Sequence, residues 1–204
     1  GVVAGSDAVW VDNITFPPVE SSGSMLGDIN GDMTINVLDV IQAVNMALGL
    51  QEPDYSTADL NGDGTINVLD IIQIVNMILE NRGIDASSSF MYKTDDSLIL
   101  KADGFIGGVQ MTLSHNDDFI ITLSEESLFS NYYSEGNNTI VIVAAPYDEL
   151  LFSTYGEYDI IDVIVANSSE QINVTMPSGI SLSPAYPNPF NPSTTVKLFS
   201  PNDQ

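Results

Sequence analysis

The sequence predicts a mostly β protein, in which an antiparallel β-sandwich follows a small α unit built from a duplicated loop and helix. Three observations carry this. Short β-rich runs separated by turn residues fill much of the second half. A 21-residue segment near the start occurs twice. Hydrophobic residues make up 44% of 204 residues, enough to bury a core.

The charge balance narrows the partners. There are 28 acidic residues against four basic ones, Arg82, Lys93, Lys101 and Lys197, for a formal net charge of −24. Such a chain repels a phosphate backbone, which excludes nucleic acid, and it is disfavoured at anionic membrane surfaces. Cations are its natural partners. No cysteine is present, so disulfides, thiolate nucleophiles and zinc–thiolate sites are excluded. His115 is the single histidine, so a His-rich metal site is excluded too. No apolar run reaches the roughly 20 residues of a membrane-spanning helix. The chain starts at Gly1, without Met or signal peptide, and reads as a mature or excised piece of something longer.

Residues 1–18 suggest one strand through Val9, Val11 and Ile14, with Trp10 on its other face and Pro17-Pro18 ending it. A lone strand must pair with something, so this stretch reads as an extension or the end of an upstream domain. Residues 19–26 are a Ser/Gly linker.

The repeat occupies 27–83. DINGDMTINVLDVIQAVNMAL at 28–48 recurs as DLNGDGTINVLDIIQIVNMIL at 59–79, with 16 of 21 positions identical and an offset of 31 residues. Each copy is an acidic loop leading into an apolar helix. Val37, Val40, Ile41, Val44 and Leu48 follow helical spacing, as do Val68, Ile71, Ile72, Val75 and Leu79. Gly49 and Pro53 stop the first helix; Asn81-Arg82-Gly83 stops the second.

The loops carry the chemistry. Asp28, Asn30, Asp32, Thr34, Asn36 and Asp39 fall at positions 1, 3, 5, 7, 9 and 12. Asp59, Asn61, Asp63, Thr65, Asn67 and Asp70 repeat them. This twelve-residue spacing wraps a hard cation in oxygens, with position 7 offering its backbone carbonyl and position 12 returning a carboxylate from the first helical turn. Two calcium ions are expected; magnesium demands tighter octahedral geometry. Ile35 and Ile66 at position 8 are expected to pair the loops and enter the core. Two departures stand out. Position 6 is Gly64 in the second loop but Met33 in the first, where the sharp turn favours glycine. Position 12 is Asp rather than Glu, which shortens the reach.

An EF-hand has a helix before the loop as well as after it. Ser21-Ser22-Gly23-Ser24 and Gln51-Glu52-Pro53-Asp54 read as non-helical, so the unit is loop–helix, duplicated. On these residues, 27–82 resemble a dockerin, a two-calcium module that binds cohesin β-sandwich domains outside cells. The resemblance implies that loop positions 10 and 11 and positions 17, 18 and 22 read the partner. Here these are Val37, Leu38, Val44, Asn45 and Gly49, then Val68, Leu69, Val75, Asn76 and Glu80. The four valines fit a core role equally well. Leu38, Asn45, Leu69 and Asn76 are the candidate partner-binding residues. Val-Leu replaces the hydroxyl pair of many dockerins at positions 10 and 11, so partner identity does not carry over.

Residues 88–177 hold the runs SFMYKT, SLILKAD, FIGGVQMTLSH, FIITLS, NTIVIVAA, DIIDVIVAN and QINVTMP, separated by turn residues, which predicts the antiparallel sandwich. FIGGVQMTLSH and DIIDVIVAN are similar to strands of cohesin-like sandwiches. A cohesin-like partner is then expected in the same chain, in a neighbouring copy or in another protein. Head-to-tail docking would build a homo-oligomer or filament, and strand 7–16 would add to a neighbour's sheet edge in a similar way. In the tail at 180–204, YPNPFNPSTTVKLF (186–199) resembles the start of the C-terminal sorting domain of type IX secretion substrates of Gram-negative bacteria.

Enzyme signatures are weak. Glu125-Glu126 and Asp148-Glu149 are acidic pairs; those at 125–126 are adjacent in a turn segment, with nothing to set one pKa against the other. His115 ends a strand beside Asn116-Asp117, where a turn hydrogen bond is expected. Gly104, Gly107 and Gly108 lack phosphate-loop spacing. The reading is a secreted, non-catalytic, calcium-binding docking module at the bacterial cell surface. The alternatives are the accessory C-terminal region of a larger secreted enzyme and the subunit of a self-assembling filament.

Overall fold

The computed structural model describes residues 25–79, 83–177, 181–182 and 198–199. The expected strand at 7–16, most of the tail expected to be a sorting segment and the expected stop at Asn81-Arg82 lie outside them.

Helix α1 (Val37–Ala47) starts where Asn36 accepts from the Leu38 amide, and Asp39 answers in a capping box. It ends at Gly49, whose φ of 75° takes the left-handed turn. Leu50 N donates to Asn45 O at 2.8 Å and Gly49 N to Met46 O at 3.0 Å, closing the orphan carbonyls. Helix α3 (Val68–Ile78) begins in the same manner at Asn67 and Asp70. Between them Gln51-Glu52-Pro53-Asp54 is non-helical, as expected, but the residues after it hold an element the sequence did not predict. A single turn, α2 (Tyr55–Ala58), precedes the second loop, because the Asp54 side chain caps the Ser56 amide and starts a helix that Pro53 alone would not predict. The position-8 pairing also takes a different form. Ile66 packs with Met46 and Ala58, while Ile35 joins the cluster around Val40 and Ile71.

The β region has strands β1 (Ser88–Lys93), β2 (Ser97–Ala102), β3 (Gly108–His115), β4 (Ile120–Leu123) and β5 (Ser127–Glu135). It continues with β6 (Asn138–Pro146), β7 (Leu150–Tyr155), β8 (Tyr158–Ala166) and β9 (Gln171–Thr175). The order is β4-β7-β2-β1-β9-β8-β3-β6-β5. Strand β9 stitches two halves together, pairing parallel with β1 and antiparallel with β8. The predicted antiparallel sandwich therefore carries one parallel pair. Two strands were not expected from the sequence. Strand β5 is rich in Ser, Asn and Tyr and lies at the sheet edge; β7 sits in a short run ending at Gly156. In the tail, β10 (Ser181–Leu182) pairs with β11 (Leu198–Phe199).

Between the two halves lies the main core, with Met91, Leu98, Leu100 and Phe152 facing Val109, Met111, Val141, Val143 and Val165. The other face of the second half is covered as well. Ile142 and Ala144 of β6 are fully buried under α1 and α3, with Val40, Val44, Ile71 and Val75. This explains why NTIVIVAA runs apolar without alternation: both of its faces are inside.

Candidate functional site

Each acidic loop is a ring of side-chain oxygens tied to its own backbone. Asp28 accepts from the amides of Asp32 (3.1 Å) and Met33 (2.9 Å), and Asp59 from those of Gly62, Asp63 and Gly64 (2.8, 3.2 and 3.0 Å). Asn30 and Asn61 each accept from the amide two residues on, at 2.8 Å, as do Asp32 and Asp63 from Thr34 and Thr65. Asn36 and Asn67 cap their helices at 2.8 and 2.7 Å.

The twelfth residue closes each ring. Asp39 accepts from Ile29 (2.8 Å), Asn30 (3.1 Å) and Asn36 (2.9 Å); Asp70 accepts from Leu60 (2.9 Å), Asn61 (3.1 Å) and Asn67 (3.0 Å). Both carboxylates have no exposed surface. Burial pushes the Asp70 carboxyl above its ordinary value and the Asp59 charge adds to this, against three lowering backbone hydrogen bonds. Among the described residues no basic side chain pairs with either loop; the ion pair there is Lys101–Glu149, at 2.9 Å. Burying a carboxylate is costly unless it is hydrogen-bonded, and here three backbone amides serve each one.

Each loop offers three carboxylates, two amide oxygens and a backbone carbonyl, all hard oxygens, in kind and number what calcium takes. Among the described residues no three acidic or histidine side chains converge on one point, because the carboxylates are turned onto the loop amides. Met33 adopts φ of 68° where Gly64 has 83°, so the first loop holds a side chain in the left-handed region.

Three of the four candidate partner-binding residues touch the chain's own sandwich. Asn131 Nδ2 donates to Asn45 Oδ1 at 3.2 Å. Asn76 Nδ2 donates to the Ser168 carbonyl. Leu69 is half-buried beside Val68, Ile72 and Ala166. Leu38 does not join them and stays 51% exposed. The receiving residues were not singled out from the sequence. Gln110 accepts from the Val68 amide at 3.0 Å. A Cβ added at Gly108 would lie 2.5 Å from Val68 Cγ2, and one at Gly107 would lie 3.0 Å from Ile72 Cγ2 and 2.5 Å from the Asn167 carbonyl. A Gly-Gly pair opening a strand, beside a strand apolar on both faces, was the available signal.

Of the groups considered for catalysis, His115, Asp148 and Glu149 have structural partners. His115 contacts the Asn116 carbonyl and the Thr139 hydroxyl, each at 2.8 Å, and stacks on Phe119. Asp148 accepts from the Glu149 amide at 2.6 Å, and Glu149 is paired with Lys101.

Residues 26–79, about a quarter of the chain, match the dockerin type I domain. No curated protein matches the chain. Among solved structures, a non-cellulosomal cohesin from the hyperthermophilic archaeon Archaeoglobus fulgidus is similar over 47% of this chain and 84% of that one. The identity is 14% and the TM-score 0.30, too low to rest a fold or a function on. No described helix is long and apolar enough to cross a membrane.

Proposed function

We propose that residues 27–83 form a two-calcium, non-catalytic docking module of a secreted protein that works at the cell surface. The observation that carries this is the duplicated ring. Two loops repeat one hydrogen-bond network, and each closes on a buried carboxylate that lacks a basic partner. Bound calcium would neutralise the three carboxylates of each loop. The chain's own residues then do the rest. Asp39 and Asp70 join loop to helix start, which fixes how α1 and α3 present their faces. The match to the dockerin type I domain supports docking as the use of those faces, with a cohesin-like β domain as the partner. The resemblance of 186–199 to the start of a C-terminal sorting domain is what supports secretion in this reading.

Calorimetric titration and native mass spectrometry test the metal assignment. Two calcium ions are expected per chain, and one in Asp59→Ala and in Asp70→Ala. Unchanged stoichiometry in both variants would remove the loop assignment.

A further inference from the structure

We infer that the module is docked in cis: the outer face of β3, β6 and β8 is the receptor for its own helix α3, so the second copy's docking face is filled within the chain. The inference rests on reading this unit as a docking module, and it names the partner.

The repeat supplies an internal control. Both copies read INVLD at the start of their helix, so equal packing would give equal exposure. It does not. Val37 is 37% exposed and Val68 is fully buried; Leu38 is 51% exposed and Leu69 half-buried. The burial of the second copy therefore comes from what it docks against, since the module's own fold leaves the same residues open in the first copy.

The receptor is shaped for that helix. Glycines at 107 and 108 and the small side chain of Ala166 form a shallow seat, and Val68 and Ile72 fill it. Side chains at either position would collide with Ile72 or Val68. Polar contacts fix the register. The free amide at the start of α3 is satisfied from across the interface by Gln110, in place of solvent. At the far end Asn76 reaches the Ser168 carbonyl, and α1 adds Asn45 to Asn131. These contacts join residues 42 to 92 positions apart, so chain proximity does not produce them. An apolar seat with polar contacts at its margins is the anatomy of a specific interface.

The test uses the full chain with a protease recognition sequence inserted after Gly83, between α3 and β1. After cleavage in calcium, the halves are expected to co-elute as a 1:1 complex in native mass spectrometry and size exclusion. Gly108→Val, and separately Val68→Asp, are expected to weaken that complex at least tenfold, with both halves keeping their circular dichroism. The two variants act from opposite sides, so misfolding of one half does not decide the outcome. Wild-type halves that separate while still folded would overturn the inference, as would a complex that both variants leave intact. Calcium stoichiometry on the uncut chain is a separate readout: a chain that takes up no calcium yet holds its halves together would sink the metal reading and keep cis docking.

Discussion

Placing one methyl group at Gly108 tests the helix–sheet contact most directly. The Cβ of Gly108→Ala would lie 2.5 Å from Val68 Cγ2 and 3.1 Å from Ile72 Cγ2, against 3.6 Å to the Val143 carbonyl. Carbon pairs rest at about 3.5–4.0 Å, so the methyl overlaps the helix and spares the sheet. Val68 cannot swing aside easily. A β-branched side chain in a helix has one strongly preferred rotamer, and Ile72 stands behind it. Overpacking of this kind costs about 1–3 kcal/mol. Val68→Ala deletes the struck methyl along with another carbon and loses about 1.5 kcal/mol of burial. In the double variant the new methyl fills the vacated space. Its loss should fall short of the summed single losses by about 1–2 kcal/mol, a coupling expected of touching residues. Urea unfolding of the full chain in excess calcium, followed by circular dichroism, measures all three, with an unchanged slope confirming a common mechanism. Additivity within about 0.5 kcal/mol would refute the contact.

Two further outcomes follow from single residues. Met33→Gly relieves a left-handed residue that costs about 1–2 kcal/mol, offset in part by the freer unfolded chain. In an Asp59→Ala background, which isolates the first loop, it should tighten calcium about two- to fivefold by calorimetry; unchanged affinity would show that the turn is unstrained. Asp103 accepts from the amides and hydroxyls of Ser87 and Ser88, and these bonds hold its carboxyl down to about 2. A depressed carboxyl contributes stability above its unfolded value of about 3.9, and the contribution is lost as pH falls towards 2. The Ser87 and Ser88 amide resonances should therefore titrate near pH 2 and lose that transition in Asp103→Asn; a midpoint near 4 would mean the bonds are absent in solution.

The loops and helices were legible because a twelve-residue ligand spacing and a 3.6-residue apolar period are local properties of the chain. Met33 shows how far this reached: its backbone conformation was expected from the missing glycine alone. The turn at α2 was missed because its signal, Asp54 capping Ser56, sits behind a proline that reads as a breaker. Strand β5 was missed for a different reason. Its polar residues satisfy an edge position with one face partly open, and edge strands lack the apolar run that marks central ones. The docking contacts belong to neither category. Asn45, Leu69 and Asn76 were candidates by resemblance, yet nothing local identifies Gln110, Asn131 or Ser168 as their partners, because each pairing is fixed only when distant segments meet.

Strand β9 has a consequence for the order of events as the chain emerges. The only link between the two halves of the sheet among the described strands is this five-residue segment, at 171–175, the last long strand of the sandwich. Until it arrives, β1 and β8 present open hydrogen-bonding edges, ready to pair with any extended chain nearby. Closure must wait for nearly the whole domain, whereas the loop–helix repeat can assemble from contacts within some 50 residues. An early-formed module already lying against β3, β6 and β8 would shelter one face of an unfinished sheet through that interval, giving the duplicated unit a part to play before the protein is complete.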